Sequence, residues 1–298
     1  MPVIDQIAKR LRTMPTRVVD IHPHIMSTDA KRYPIAPVRG KRSAWSLKRH
    51  ATLEELIAAM DEAGVDKAAV VQSVSIHGYD NSYLADAVAR QPKRCTGVFS
   101  LDLLASDAPD MIRYWVKERK LSGLRVYTGG LTNKQSTSLS DPKTFPGWEC
   151  ASELGISVCV SSRPEGLPHL IKLVKQFPQV RIIVDHLMDL PIEEGPPYAG
   201  STFVFDLAHY GNVYLKLTTM NIRASRKGKA SPETFFPLLV KKFSASRIAW
   251  GSNYPASEGT LKELVIAAKS ALSILPEQDQ EWIFARTAQS LYPALADN

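Results

Sequence analysis

The chain has 298 residues, 44% hydrophobic and 22% charged, with a net charge of +7. That balance is ordinary for a globular protein with a large core and excludes a disordered or collagen-like chain. No apolar run reaches the roughly 18 residues a membrane-spanning helix needs, and no nucleic-acid-binding motif gathers the positive charge, so neither a membrane nor a nucleic acid is an expected partner.

The first residues, MPVIDQIAKRLRTMPTR, carry scattered charges and no apolar centre. They do not read as a secretory leader, and a cytoplasmic protein is expected. From there strand-like and helix-like segments alternate. The first strand candidate, RVVDIH at 17–22, runs into Pro23 and His24. Side chains alternate along a strand, so His22 and His24 should share a face, about 7 Å apart. A long stretch, 26–51, follows with Pro34, Pro37, Gly40 and Trp45. A connection of that length is usually functional, and over the end of a barrel it would act as a lid. Thr52 then reads as an N-cap, with Glu54 and Glu55 in the first turn and Gly64 as the stop.

Further strands are expected at 67–72, 95–101, 122–127, 156–162, 180–186, 212–218 and 247–253. They are continuous apolar runs, the pattern of parallel strands buried on both faces. Helical patterns lie between them at 84–89, 108–117, 149–154, 167–177, 203–209, 232–243, 261–272 and 277–291, with Ser231 and Pro232 opening the sixth of these. Cys95, Cys150 and Cys159 are odd in number and lack C-x-x-C spacing, so they read as small buried side chains. Eight strands, each followed by helix, predict one (β/α)8 TIM barrel over 1–298. A doubly wound sheet is the alternative, weakened because no G-x-G-x-x-G turn follows the first strand.

In a barrel, the C-terminal strand ends face one site. Collected from the sequence, those ends carry His22 and His24, then Gln72 with His77 in the next loop, Arg125 and Tyr127, Cys159, Asp185 and His186, Lys216 and Asn253. Polar residues that interrupt apolar runs need buried partners. Arg125 and Lys216 suit an anionic group, and the excess positive charge favours a small anionic substrate.

The ordered marks DIHPH, VDHL, YLKLT and RIAWGSNYP resemble the amidohydrolase superfamily, in particular its amidohydrolase-2 group of lactonases and some decarboxylases. VVQSVSIHGYDN and GLRVY resemble the 2-pyrone-4,6-dicarboxylate lactonase branch. The resemblance spans roughly residues 17–293. It implies a TIM-barrel hydrolase that opens a small, carboxylated lactone by water attack. His22, His24 and His186 would be ligands of a divalent metal, zinc for preference. In metal-free lactonase relatives the same histidines would contact substrate. Catalysis would fall to His186, His22 and the strand-eight position. Arg125, His77, Lys216, Gln72, Tyr127 and Cys159 would contact substrate. Homo-oligomers are common in the family.

The chain departs from the family at strand eight, where the family's aspartate is Asn253. An amide cannot accept a proton near neutral pH. Three explanations stand: another group is the base, with His186, His22 or a zinc-bound water best placed; Asn253 is an engineered inactivating change; or the reaction needs no base there. The rivals are a decarboxylase of the same superfamily and a barrel that lost its base and only binds a ligand.

Overall fold

The computed structural model describes residues 17–128 and 136–297. The reading of residues 1–16 as a non-leader segment lies outside them. Eight parallel strands form one sheet in sequence order: β1 Val19–Asp20, β2 Lys67–Val71, β3 Cys95–Ser100, β4 Gly123–Tyr127, β5 Ser157–Ser161, β6 Ile182–Val184, β7 Val213–Thr218 and β8 Ile248–Gly251. The backbone N–H of Ile21 donates to Trp250 O at 3.2 Å, which brings the first and last strands together. Helices cover the outside, as the strand–helix alternation predicts.

The strands are shorter than their apolar runs because pairing stops where the chain turns into the loops. Helix Leu53–Ala63 forms where expected, with a complete capping box between Thr52 and Glu55, and it ends at Gly64 with φ of 68°. That left-handed value costs glycine nothing. Helices Pro232–Phe243 and Leu261–Leu272 keep their expected bounds. The last expected helix is broken in three, Glu277–Glu281, Trp282–Arg286 and Thr287–Leu291, with a wider π-turn in the middle. Among the described residues two short α-helices lie outside the expected helical patterns, Ala44–Lys48 and Thr219–Ala224.

Apolar side chains sort into two layers. Val18, Leu124, Val158 and Ile182 belong to the layer between strands and helices. Val19, Ile21, Ala69, Cys159, Ile183 and Ala249 pack inside the barrel against Ala288, Leu291, Tyr292 and Leu295 from the C-terminal segment. That segment plugs one end of the barrel. The other end holds the cavity.

Cys95, Cys150 and Cys159 are free and buried, as expected of small core side chains. Among the described residues no helix is long and apolar enough to cross a membrane.

Candidate active site

A cavity of about 340 Å³ opens at the C-terminal strand ends. His22, His24, Arg125, Tyr127, His186 and Asn253, all singled out from the sequence, line it. Ring centroids of His22 lie 4.9 Å from His24 and 4.8 Å from His186, both edge-on.

Simple alternation does not deliver His22 to the cavity. Val19 and Ile21 both pack in the barrel interior, so a continuous strand would turn His22 outward. Regular pairing stops at Asp20 instead. Asp20 Oδ1 accepts the N–H of His22 at 2.9 Å and that of Ser252 at 2.8 Å, which kinks β1 and ties it to β8. Gly251 makes room, since a Cβ there would stand 2.5 Å from the His22 Cβ. Burial raises the Asp20 carboxyl to about 6 against the opposing hydrogen bonds from Ser252.

Each histidine is held differently. His24 Nδ1–H donates to Val71 O at 2.9 Å, and Trp45 stacks on the ring at 5.9 Å. Thr218 Oγ1 spends its hydrogen on Asn221, so His186 Nδ1–H donates to it at 2.9 Å. Both rings therefore turn an Nε2 lone pair to the cavity. His22 is fully buried, and neither of its nitrogens has a partner among the described residues. Burial lowers all three, His24 to about 3, His186 to about 4 and His22 well below its ordinary value, with nearby Arg125 and Lys216 adding to the effect. They are neutral at pH 7.

Under the cavity lies an ion cluster. Arg125 Nε donates to Asp185 Oδ2 at 2.6 Å, and Arg125 Nη1 donates to the Tyr127 hydroxyl. Lys216 Nζ lies 2.8 Å from Asp185 Oδ1, a charge contact without hydrogen-bond alignment. Burial pushes the Asp185 carboxyl up, but Arg125 and Lys216 outweigh it and hold it well below the usual range. Two cations share one anion, so the cluster keeps an excess positive charge facing the cavity.

Four of the proposed substrate contacts do not line the cavity. Lys216 and Cys159 are fully buried beneath it, with Nζ donating to Sγ at 3.2 Å and Sγ 3.3 Å from the Tyr292 hydroxyl. Gln72 Nε2 donates to Gly78 O and Asp80 O, shaping its own loop. His77 accepts the N–H of Ser27 at 3.2 Å and donates to Pro34 O at 3.0 Å, pinning the long stretch after β1. Arg49 pins the same stretch to Pro255 O and Ala256 O. It is a fastened wall of the cavity, and it contributes Trp45. Trp45 thus comes from the stretch expected over the barrel end, whereas Arg163, Asp189 and Met220, which also line the cavity, were not among the expected site residues. An acid three residues beyond a strand-end histidine was the available signal for Asp189.

The donor types fit a divalent cation: two neutral imidazoles offer Nε2, and His22 offers an unpartnered nitrogen. The fit is one of chemistry and not of closed geometry. Among the described residues no group of three or more His, Cys, Asp or Glu side chains is arranged to hold a metal ion.

The profile of the amidohydrolase family matches residues 19–294. The L-fucono-1,5-lactonase of Burkholderia ambifaria is 30% identical over 208 residues, 69% of each chain. The 4-sulfomuconolactone hydrolase of Rhizobium radiobacter is 25% identical over 250 residues, 82% of this chain and 77% of that one. A Pseudomonas putida protein described as a 2-pyrone-4,6-dicarboxylic acid hydrolase superposes with a TM-score of 0.75 at 19% identity, covering 95% of this chain and 100% of that one. A zinc-bound amidohydrolase from Burkholderia multivorans gives 0.73 at 18% identity, covering 93% and 99%. These two structural likenesses show the fold alone.

Proposed function

Because this chain belongs to the amidohydrolase family, we propose that it is a lactonase-like hydrolase that opens a small, anionic lactone by water attack. The observation that carries the reading is the meeting of three neutral imidazoles and a buried guanidinium around one cavity. The lactone-hydrolysing relatives support it.

The cationic cluster draws an anionic substrate inward and Arg125 receives it. Its Nε and Nη1 are committed to Asp185 and Tyr127, leaving Nη2 as the donor for a carboxylate or the lactone carbonyl. Asn253 Nδ2 donates to Ser257 Oγ at 3.2 Å, so its Oδ1 is free to accept a hydrogen bond from the attacking water. A divalent metal, when bound, would be held by His22, His24 and His186 and would polarise the carbonyl and acidify water. Trp45, on the fastened stretch, limits bulk water around the reacting bond.

The test is turnover of a panel of carboxylated and sugar lactones, followed by proton release, with and without added zinc. Hydrolysis of at least one is expected, and Arg125→Met should lower kcat/KM by about tenfold to a hundredfold, the worth of a charged hydrogen bond. Zinc analysis of the purified protein at about one equivalent would support the metal role. No lactone turnover, or CO2 release from an aromatic carboxylate instead, would overturn the reading.

A further inference from the structure

We infer that Asp189 is the proton acceptor and donor of the reaction, standing in for the carboxylate that Asn253 lacks; this rests on the hydrolase reading above. The missing base leaves a chemical requirement. Water that attacks a carbonyl must lose a proton, and the ring oxygen that departs must gain one. Among the described residues lining the cavity, Asp189 is the one carboxylate. Asp185 lies beneath, bound to Arg125 and Lys216. Asp20 is fully buried and spends its Oδ1 on backbone N–H groups.

An unusual piece of backbone brings Asp189 there. His186, Leu187, Met188 and Asp189 have φ of 53°, 51°, 58° and 53°. Four successive non-glycine residues in the left-handed region cost roughly 1–2 kcal/mol each. Such a turn persists only where its surroundings hold it. Leu187 and Met188 are buried in the core, and Asn221 Nδ2 donates to His186 O at 2.8 Å. Side chains three apart on so tight a turn stand one above the other. His186 and Asp189 therefore share the edge that lines the cavity, while the two apolar residues between them anchor it.

Asp189 remains open to water at the mouth. Its charged neighbours are Arg163, from the loop after β5, and Asp185 on its own turn. Burial raises its carboxyl above the ordinary value, with Arg163 pulling the other way and Asp185 adding to the rise, which suits a group that must both take and return a proton.

The step balances without an oxidant or a further reactant. The water oxygen bonds to the carbonyl carbon, the carbonyl π pair moves to its oxygen, and the water proton passes to the Asp189 carboxylate. The pair returns, the bond from carbon to ring oxygen breaks, and the proton passes from Asp189 to that oxygen. The product is the open hydroxy acid.

The experiment uses Asp189→Asn and Asp189→Gly in the full chain on a lactone the wild type hydrolyses. Asparagine and glycine both accept a left-handed φ, so the turn is kept. The expected result is a fall in kcat of about 10²–10⁴, the usual worth of a general base, with KM within about threefold. The acid limb of the kcat profile should vanish, and added formate should restore turnover in Asp189→Gly. Wild-type kcat in Asp189→Asn would overturn the assignment and leave an imidazole such as His186 as acceptor. A loss that registers in neither the pH profile nor formate rescue would overturn it too. No turnover by the wild type would overturn the hydrolase reading and the base with it.

Discussion

Beneath the cavity, Asp185 meets Arg125 at 2.6 Å and Lys216 at 2.8 Å. At the cavity floor, His22 is fully buried, and among the described residues neither its ring nitrogens nor Asp20 Oδ2 behind it has a partner. The two regions are neighbours in one barrel and treat buried polarity in opposite ways. The lower region compensates its charges and leaves only a surplus of one. The upper region leaves acceptors open at a cost of roughly 1–3 kcal/mol for each unsatisfied group. A fold of marginal stability has no structural use for that cost. Open nitrogens at the floor of a cavity are available to a ligand, whereas the atoms of the paired cluster are already largely committed to one another.

Breaking the lower region should have the largest effect. Asp185→Asn strands two buried cations and should cost about 3–5 kcal/mol. The check is chemical denaturation, read as a lower midpoint or as failure to accumulate folded protein. An unchanged midpoint would mean that the cluster is not closed in solution.

The pH dependence of stability comes next, and its sign follows from the imidazoles. His24 and His186 are lowered to about 3 and about 4, and His22 is lowered as well. Below about 6.5 the unfolded chain binds protons that the folded chain does not. Stability should thus be full above that pH and fall as pH drops toward 4, by up to about 1.4 kcal/mol per pH unit for each histidine. Asp20, raised to about 6, works the other way between there and its ordinary value of 3.8 and offsets part of the loss. Urea midpoints across pH 4–7 read the net slope, and a flat profile would contradict the burial of neutral imidazoles.

The smallest effect on stability sharpens the comparison most. His22→Phe removes two unpartnered nitrogens while keeping an aromatic ring. Stability should stay level or rise by about 1 kcal/mol, while lactone turnover falls at least a hundredfold. A large destabilisation would place His22 with the paired region below.

The order of strands and helices was legible in the chain, because continuous apolar runs and end signals such as Thr52 and Gly64 are local. The sequence also named His22, His24, Arg125, His186 and Asn253, each of which breaks or ends an apolar run. Tertiary structure decided which strand-end residues reach the cavity. Lys216 and Cys159 sit one layer down, because depth along a strand depends on the register of its neighbours. Gln72 and His77 bind loop backbone, because those loops need acceptors and donors that no local pattern foretells. The kink at Asp20 and the left-handed turn at 186–189 are held by partners distant in the chain, Ser252 and Asn221. Strained backbone of that kind has no signature in its own residues. It exists only when the rest of the barrel closes around it.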